Sequence, residues 1–95
     1  METIPEFEYD LEKSRANREK HGIDFETAQA LWRDENKVQG PTQSPDEERW
    51  MLVAMLEGKL WSAIFTMRLQ RIRLISVRRS RPREAASYGR KDDQR

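Results

Sequence analysis

Residues 49–67 read Arg-Trp-Met-Leu-Val-Ala-Met-Leu-Glu-Gly-Lys-Leu-Trp-Ser-Ala-Ile-Phe-Thr-Met. Two apolar runs, 49–56 and 60–67, flank Glu57-Gly58-Lys59. Short runs rich in Val, Ile, Trp and Phe around a Gly-containing turn are the pattern of a β-hairpin. Residues 71–77 continue as a third strand, joined to the second by a turn at 68–70. On the N-terminal side, Gly40 to Pro45 form a loop, and residues 37–39 offer a further edge strand. Ser44-Pro45-Asp46-Glu47 has the form of a capping box, which predicts a single helical turn before the hairpin.

The first third of the chain is helical. Phe7-Glu8-Tyr9 alternates like a short strand. Asp10 is placed to cap a charged helix over residues 11–20, which Gly22 ends. Asp24 caps a second helix. Its Phe25, Ala28, Leu31 and Trp32 share one face, and Asp34-Glu35-Asn36 stops it. After the meander, Ser80 is placed to cap a last helix with Pro82 in its first turn and Gly89 at its end. Helices and strands in separate blocks predict a single α+β domain over residues 1–95, with its core in 6–89 and frayed ends at 1–5 and 90–95.

Composition limits what such a domain does. Apolar residues make up 36% of the 95 and charged residues 37%, so the core is thin and binding to a partner would add stability. The net charge of +1 conceals an asymmetry. Residues 1–67 carry 8 Lys+Arg against 14 Asp+Glu, whereas residues 68–95 carry 10 against 3. A dense Arg-rich segment built partly into a strand points to a polyanion or an acidic protein partner. There is no Cys and only one His, which excludes disulfides, thiol chemistry and His/Cys zinc clusters. No cofactor or metal is expected. No apolar run approaches the ~20 residues of a membrane span, and the first residues lack the pattern of a secretory signal. A soluble cytoplasmic protein is the expectation.

The chemistry-bearing residues cluster in 71–88. Unbroken strand alternation puts Ile72, Leu74, Ser76 and Arg78 on one face and Arg71, Arg73, Ile75, Val77 and Arg79 on the other. Neither face is then cleanly apolar. Arg binds two phosphate oxygens at once and keeps its charge, so it suits phosphate binding and transition-state stabilisation. Glu84 and Tyr88 stand at i and i+4 on one helix face, beside the arginines, where they have the form of proton-transfer groups. On spacing alone, the stronger reading is a helix cap at Glu84, able to pair with Arg78 or Arg81 at the surface, and a half-buried core tyrosine. His21, at a helix C-terminus, reads first as a partner of the helix dipole.

The chain resembles the BrnT-type ribonuclease toxins of type II toxin–antitoxin modules. The matching pieces are Phe7-Glu-Tyr-Asp10; Asn17-Arg-Glu-Lys-His-Gly-Ile23; Phe25-x-x-Ala28 followed by Asp34; Asp46-x-Glu48-Arg49; Thr66-x-Arg68; and Arg73-Leu-Ile-Ser-Val-Arg78 with Glu84 and Tyr88. Ala54 departs from the Gly that many members carry there. The resemblance implies a RelE-like fold, an antiparallel sheet of three to five strands with helices to one side. It implies a metal-independent endoribonuclease that blocks translation, using the RNA 2′-hydroxyl as nucleophile. It also implies a cognate ribbon-helix-helix (BrnA-like) antitoxin encoded nearby, and operator DNA bound through the complex. Carried over by position, Arg73 and Arg78 stabilise charge, Arg68 positions RNA, Glu84 or His21 is the base, and Tyr88 orients the phosphate or acts as a weak acid. Lys20, Glu48 and Arg49 come second, and Arg79 and Arg81 supply general attraction. Two other readings stay open: a non-catalytic binding module of the same fold, and a ParE-like topoisomerase poison.

Overall fold

The computed structural model describes residues 5–42 and 48–90. The expected helical turn at Ser44–Glu47 and most of the expected frayed ends lie outside them. The elements are β1 (Phe7–Glu8), α1 (Leu11–His21), α2 (Phe25–Ala28) running into a 3-10 helix (Gln29–Arg33), β2 (Val38–Pro41), β3 (Trp50–Leu56), β4 (Lys59–Arg68), β5 (Arg71–Arg79) and α3 (Pro82–Arg90). They match the α+β expectation, and the edge strand near residue 38 is present. The strands form one sheet in the order β1-β5-β4-β3-β2.

That sheet is mixed, not antiparallel throughout, because β1 runs parallel to β5, with Phe7 opposite Ile72 and Glu8 opposite Arg73. Among the described residues, six elements lie between β1 and β5, and the chain re-enters the sheet beside β1 in the same direction. The two hairpins close through two-residue turns, since Leu56 pairs with Lys59 and Arg68 with Arg71. Glu57 and Gly58 take positive φ of 53° and 79°, and Leu69 and Gln70 take 52° and 69°. Paired positive φ values match the right-handed twist of the flanking strands.

The helices are held by different forces. Asp10 accepts from the backbone N–H groups of Glu12 and Lys13, and Gly22, at φ 85°, closes α1 through its N–H to Arg18 O. α1 has no apolar face; its buried residues are Ser14 and Asn17. Ser14 Oγ accepts from Phe25 N–H at 2.9 Å, tying α1 to α2. The Asn17 amide donates to Ile23 O and Val77 O at 2.7 and 2.8 Å and accepts from Val77 N–H at 3.1 Å. β1 covers the outer edge of β5 only as far as Arg73, so Asn17 takes the place of a missing strand at Val77. Phe25, Ala28 and Leu31 then cover one sheet face, against Leu52, Ala54, Ala63, Phe65, Ile72, Leu74 and Val77. Edge-to-face contacts link Phe7, Trp32 and Phe65 at centroid distances of 5.0 and 5.3 Å.

α3 lies on the opposite face, which departs from an arrangement with all helices to one side. Its Glu84 bonds to Ser62 and Arg78, which pair with each other and point away from the face holding Ala63 and Val77. Two local expectations are corrected as well. Ser80 does not cap α3; its hydroxyl pairs with Ser62 Oγ at 2.8 Å, while Glu84 reaches back to the Arg81 N–H at 2.9 Å. The acidic arm of a capping box is therefore present without its hydroxyl arm. The helix also continues through Gly89 to Arg90.

Candidate functional site

The geometry of the site depends on one irregularity. Register along β4 and β5 slips between Ile64 and Phe65: Ile64 faces Ser76, and Phe65 faces Leu74, leaving Ile75 as an extra residue. A bulge of this kind shifts side-chain alternation by one position. Ile72, Leu74 and Val77 thus share the core face, and Arg71, Arg73, Ser76 and Arg78 share the other. Simple alternation placed Arg73 and Arg78 on opposite faces, and the bulge brings them to one. Thr66 and Arg68 of β4 pair with Arg73 and Arg71 and join the same face. Arg79 goes to the face covered by α2, where its guanidinium lies over the Trp61 ring at 5.7 Å.

Each β5 arginine on the α3 face meets a carboxylate of the same chain. Arg71 lies 3.1 Å from Glu6, and Arg73 Nη1 donates to Glu8 Oε2 at 3.1 Å. Arg68 approaches the same Glu8 oxygen at 4.0 Å. Arg78 engages Glu84 through both guanidinium nitrogens, each at 2.9 Å. The two side chains retain only 18% and 16% exposure. Glu84 Oε1 also accepts from Ser62 Oγ at 2.8 Å and from the Arg81 N–H. The Arg78 hydrogen bonds, joined by those from Arg81 and Ser62, outweigh burial and hold the Glu84 carboxyl down at about 2. The same bonds raise Arg78 above its ordinary value against the opposing effect of burial. A carboxylate so held is ionised at neutral pH and is a weak proton acceptor.

Tyr88 is one turn further along α3, but its hydroxyl donates to Asp34 Oδ2 at 2.7 Å. Asp34 also accepts from the backbone of Met55 and Asn36. Burial opposes its charge, yet these three donors outweigh burial and keep its pKa low. Glu84 and Tyr88 therefore do adjoin the arginine face, each already hydrogen-bonded. Glu84 as a cap on the Arg81 N–H and a half-buried tyrosine are the arrangement that spacing alone favoured, but the pair with Arg78 is largely buried and not at the surface.

The remaining candidates are dispersed. His21 is half-buried at the end of α1. It borders two clefts. One, of about 290 Å³, includes Lys59, Trp61 and Arg79 on the face covered by α2. The other, of about 230 Å³, includes Lys20, Ile75 and Ser76 at the outer edge of β5. Lys20 and Arg81 are exposed. Glu48 O accepts from Thr66 Oγ1 at 2.9 Å, beside the arginine face, and Arg49 O accepts from Thr42 N–H. Among the described residues, no group of three or more His, Cys, Asp or Glu is placed to hold a metal ion. No helix there is long and apolar enough to cross a membrane.

Sequence reasoning passed over Ser62 and Glu8 as site residues and gave Ser80 only a capping role. Ser62 carried a signal: a lone hydroxyl inside an apolar strand, here fully buried, requires a partner. Glu8 carried none, since only the parallel pairing of β1 brings it to Arg73.

Fold and site together define a small α+β domain that gathers arginines from neighbouring strands on one sheet face. Residues 9–84 match the family model described as ribonuclease toxin, BrnT, of type II toxin–antitoxin system. The chain belongs to that family, and membership implies an antitoxin partner and RNA as the target. Comparison with curated proteins finds no match.

Proposed function

We propose that this chain is the toxin of its module and a metal-independent endoribonuclease of RelE-like fold that inhibits translation in the cytoplasm. Its antitoxin would be a ribbon-helix-helix protein, and the complex would bind operator DNA. The observation that carries the reading is the Ile75 bulge, which puts Arg78 on the face of Arg68 and Arg73. In-line attack by a 2′-hydroxyl needs no nucleophile from the protein. It needs the phosphate positioned and its added negative charge stabilised. Arg73 and Arg78 serve the charge, and Arg68 positions the strand. With Glu84 held ionised at about 2, the proton acceptor is better sought in His21. RNA would reach it around the outer edge of β5, across the cleft that joins Ser76 to Lys20 and His21. Arg49, Arg79 and Arg81 add attraction at the margins.

The test is cleavage of RNA by purified protein. Arg73→Ala and Arg78→Lys should each lower the rate by ~100-fold, the scale of losing one charge-stabilising donor. Lys at 78 keeps the charge but loses the fork, so folding is better preserved than with Ala. His21→Ala should lower the rate by ~100-fold, the scale of losing a positioned proton acceptor. Intact RNA with wild-type protein, together with equal growth arrest by wild type and Arg78→Lys, sinks the reading.

The carboxylates paired with Arg71, Arg73 and Arg78 favour one second reading, a module that binds RNA without cutting it. It predicts salt-sensitive binding with no turnover.

A further inference from the structure

The donors around Glu84 come from three elements: the Arg78 fork on β5, the Ser62 hydroxyl on β4, and the Arg81 N–H at the start of α3. Ser62 is also backed by Ser80. A guanidinium fork with a hydroxyl and a backbone amide is the donor set that binds phosphate oxygens as readily as a carboxylate. The element that carries the carboxylate is short. α3 has nine residues, too few for a stable helix on its own. A groove of about 250 Å³ lies along it, bordered by Val38, Gly40, Met51, Val53, Glu84 and Ser87. Apolar packing does not fill that space. Ala85, Ser87 and Tyr88 are half-buried, and the Glu84 cluster and the Tyr88–Asp34 hydrogen bond pin the helix near its two ends.

We propose that Glu84 is an internal occupant of a phosphate socket. The carboxylate rests on Arg78 while α3 is down, and a phosphodiester group of RNA takes its place when α3 lifts. This rests on the RNA reading above. It deepens that reading by making α3 an autoinhibitory latch. Binding then requires exchange of one anion for another on Arg78, with no bond made or broken.

The experiment uses a single-stranded oligonucleotide with 2′-methoxy groups, which binds but cannot be cleaved through its 2′ oxygen. Affinity is measured across a salt series for wild type, Glu84→Gln, Arg78→Ala and the double variant. Glu26→Gln, at an exposed position on α2, controls for the change in net charge. Glu84→Gln should bind at least ~10-fold tighter at low salt with its salt slope unchanged, because Arg78 meets one phosphate in both bound states. The gain should vanish when Arg78 is also Ala. Should Glu84→Gln fail to fold, Tyr88→Phe loosens the far end of α3 and should tighten binding by itself by ~3-fold through a larger open population. Unchanged affinity in the folded variants overturns the proposal. So does an equal gain in Glu26→Gln, or a gain that persists without Arg78. Failure of the ribonuclease reading is separate, because it shows as intact unmodified RNA whatever the binding comparison gives.

Discussion

Glu84 and Asn17 show what single side chains do here. The Glu84 carboxyl titrates at about 2 in the folded chain against an ordinary 4.5. A lowered carboxylate contributes stability that is complete above the ordinary value and lost as pH falls towards the folded one. Wild type should therefore exceed Glu84→Gln by ~2 kcal/mol at pH 7, with the difference shrinking below pH ~4.5. Urea midpoints at pH 7 and pH 3 check this. Asn17 makes three buried hydrogen bonds, two to the backbone of Val77. Asn17→Ala leaves those groups unpaired and should cost ~2–3 kcal/mol. Amide exchange at Val77 should quicken in the same variant. Asn17 was visible in the sequence only as part of a family motif. Its side chain bonds to a residue 60 positions away, and local spacing carries no trace of that.

At the scale of elements, the two hairpin turns have the same form with different residues. Glu57-Gly58 suits a turn with both φ values positive, whereas Leu69-Gln70 does not, and Leu69 is 91% exposed. Replacing Leu69-Gln70 by Asn-Gly should stabilise the hairpin by ~1 kcal/mol and raise Tm by ~4–8 °C. The second strained turn was foreseen as a turn, but its backbone conformation was not, because neither residue favours it. The bulge in β5 left a faint sign. With unbroken alternation, neither face of residues 71–79 was apolar. One inserted residue resolves this by aligning Ile72, Leu74 and Val77. α1 gave the opposite problem. Its charged sequence reads as a solvated helix, and the polar bonds of Ser14 and Asn17 dock it all the same.

Across the whole molecule, the excess of basic residues after position 67 is partly met from the other end of the chain. Glu6 and Glu8 reach Arg71 and Arg73 through the parallel pairing of β1 with β5. Three arginines that each contact a phosphate imply a slope of log affinity against log salt of about −2 for single-stranded RNA. A salt series with wild type, Arg68→Ala and Arg73→Ala measures it, and each variant should flatten the slope by ~0.7. A slope near zero would mean that RNA does not use this face. Turns, caps and strand runs were legible because their causes are local: Asp10, Gly22, Asp24 and Gly58 act on neighbours within a few residues. The common face of Arg73 and Arg78, the carboxylates set against them, and the side taken by α3 were not. Each follows from a register slip or a contact between distant segments, and such pairings are chosen by packing of the assembled sheet, which no short stretch of chain encodes.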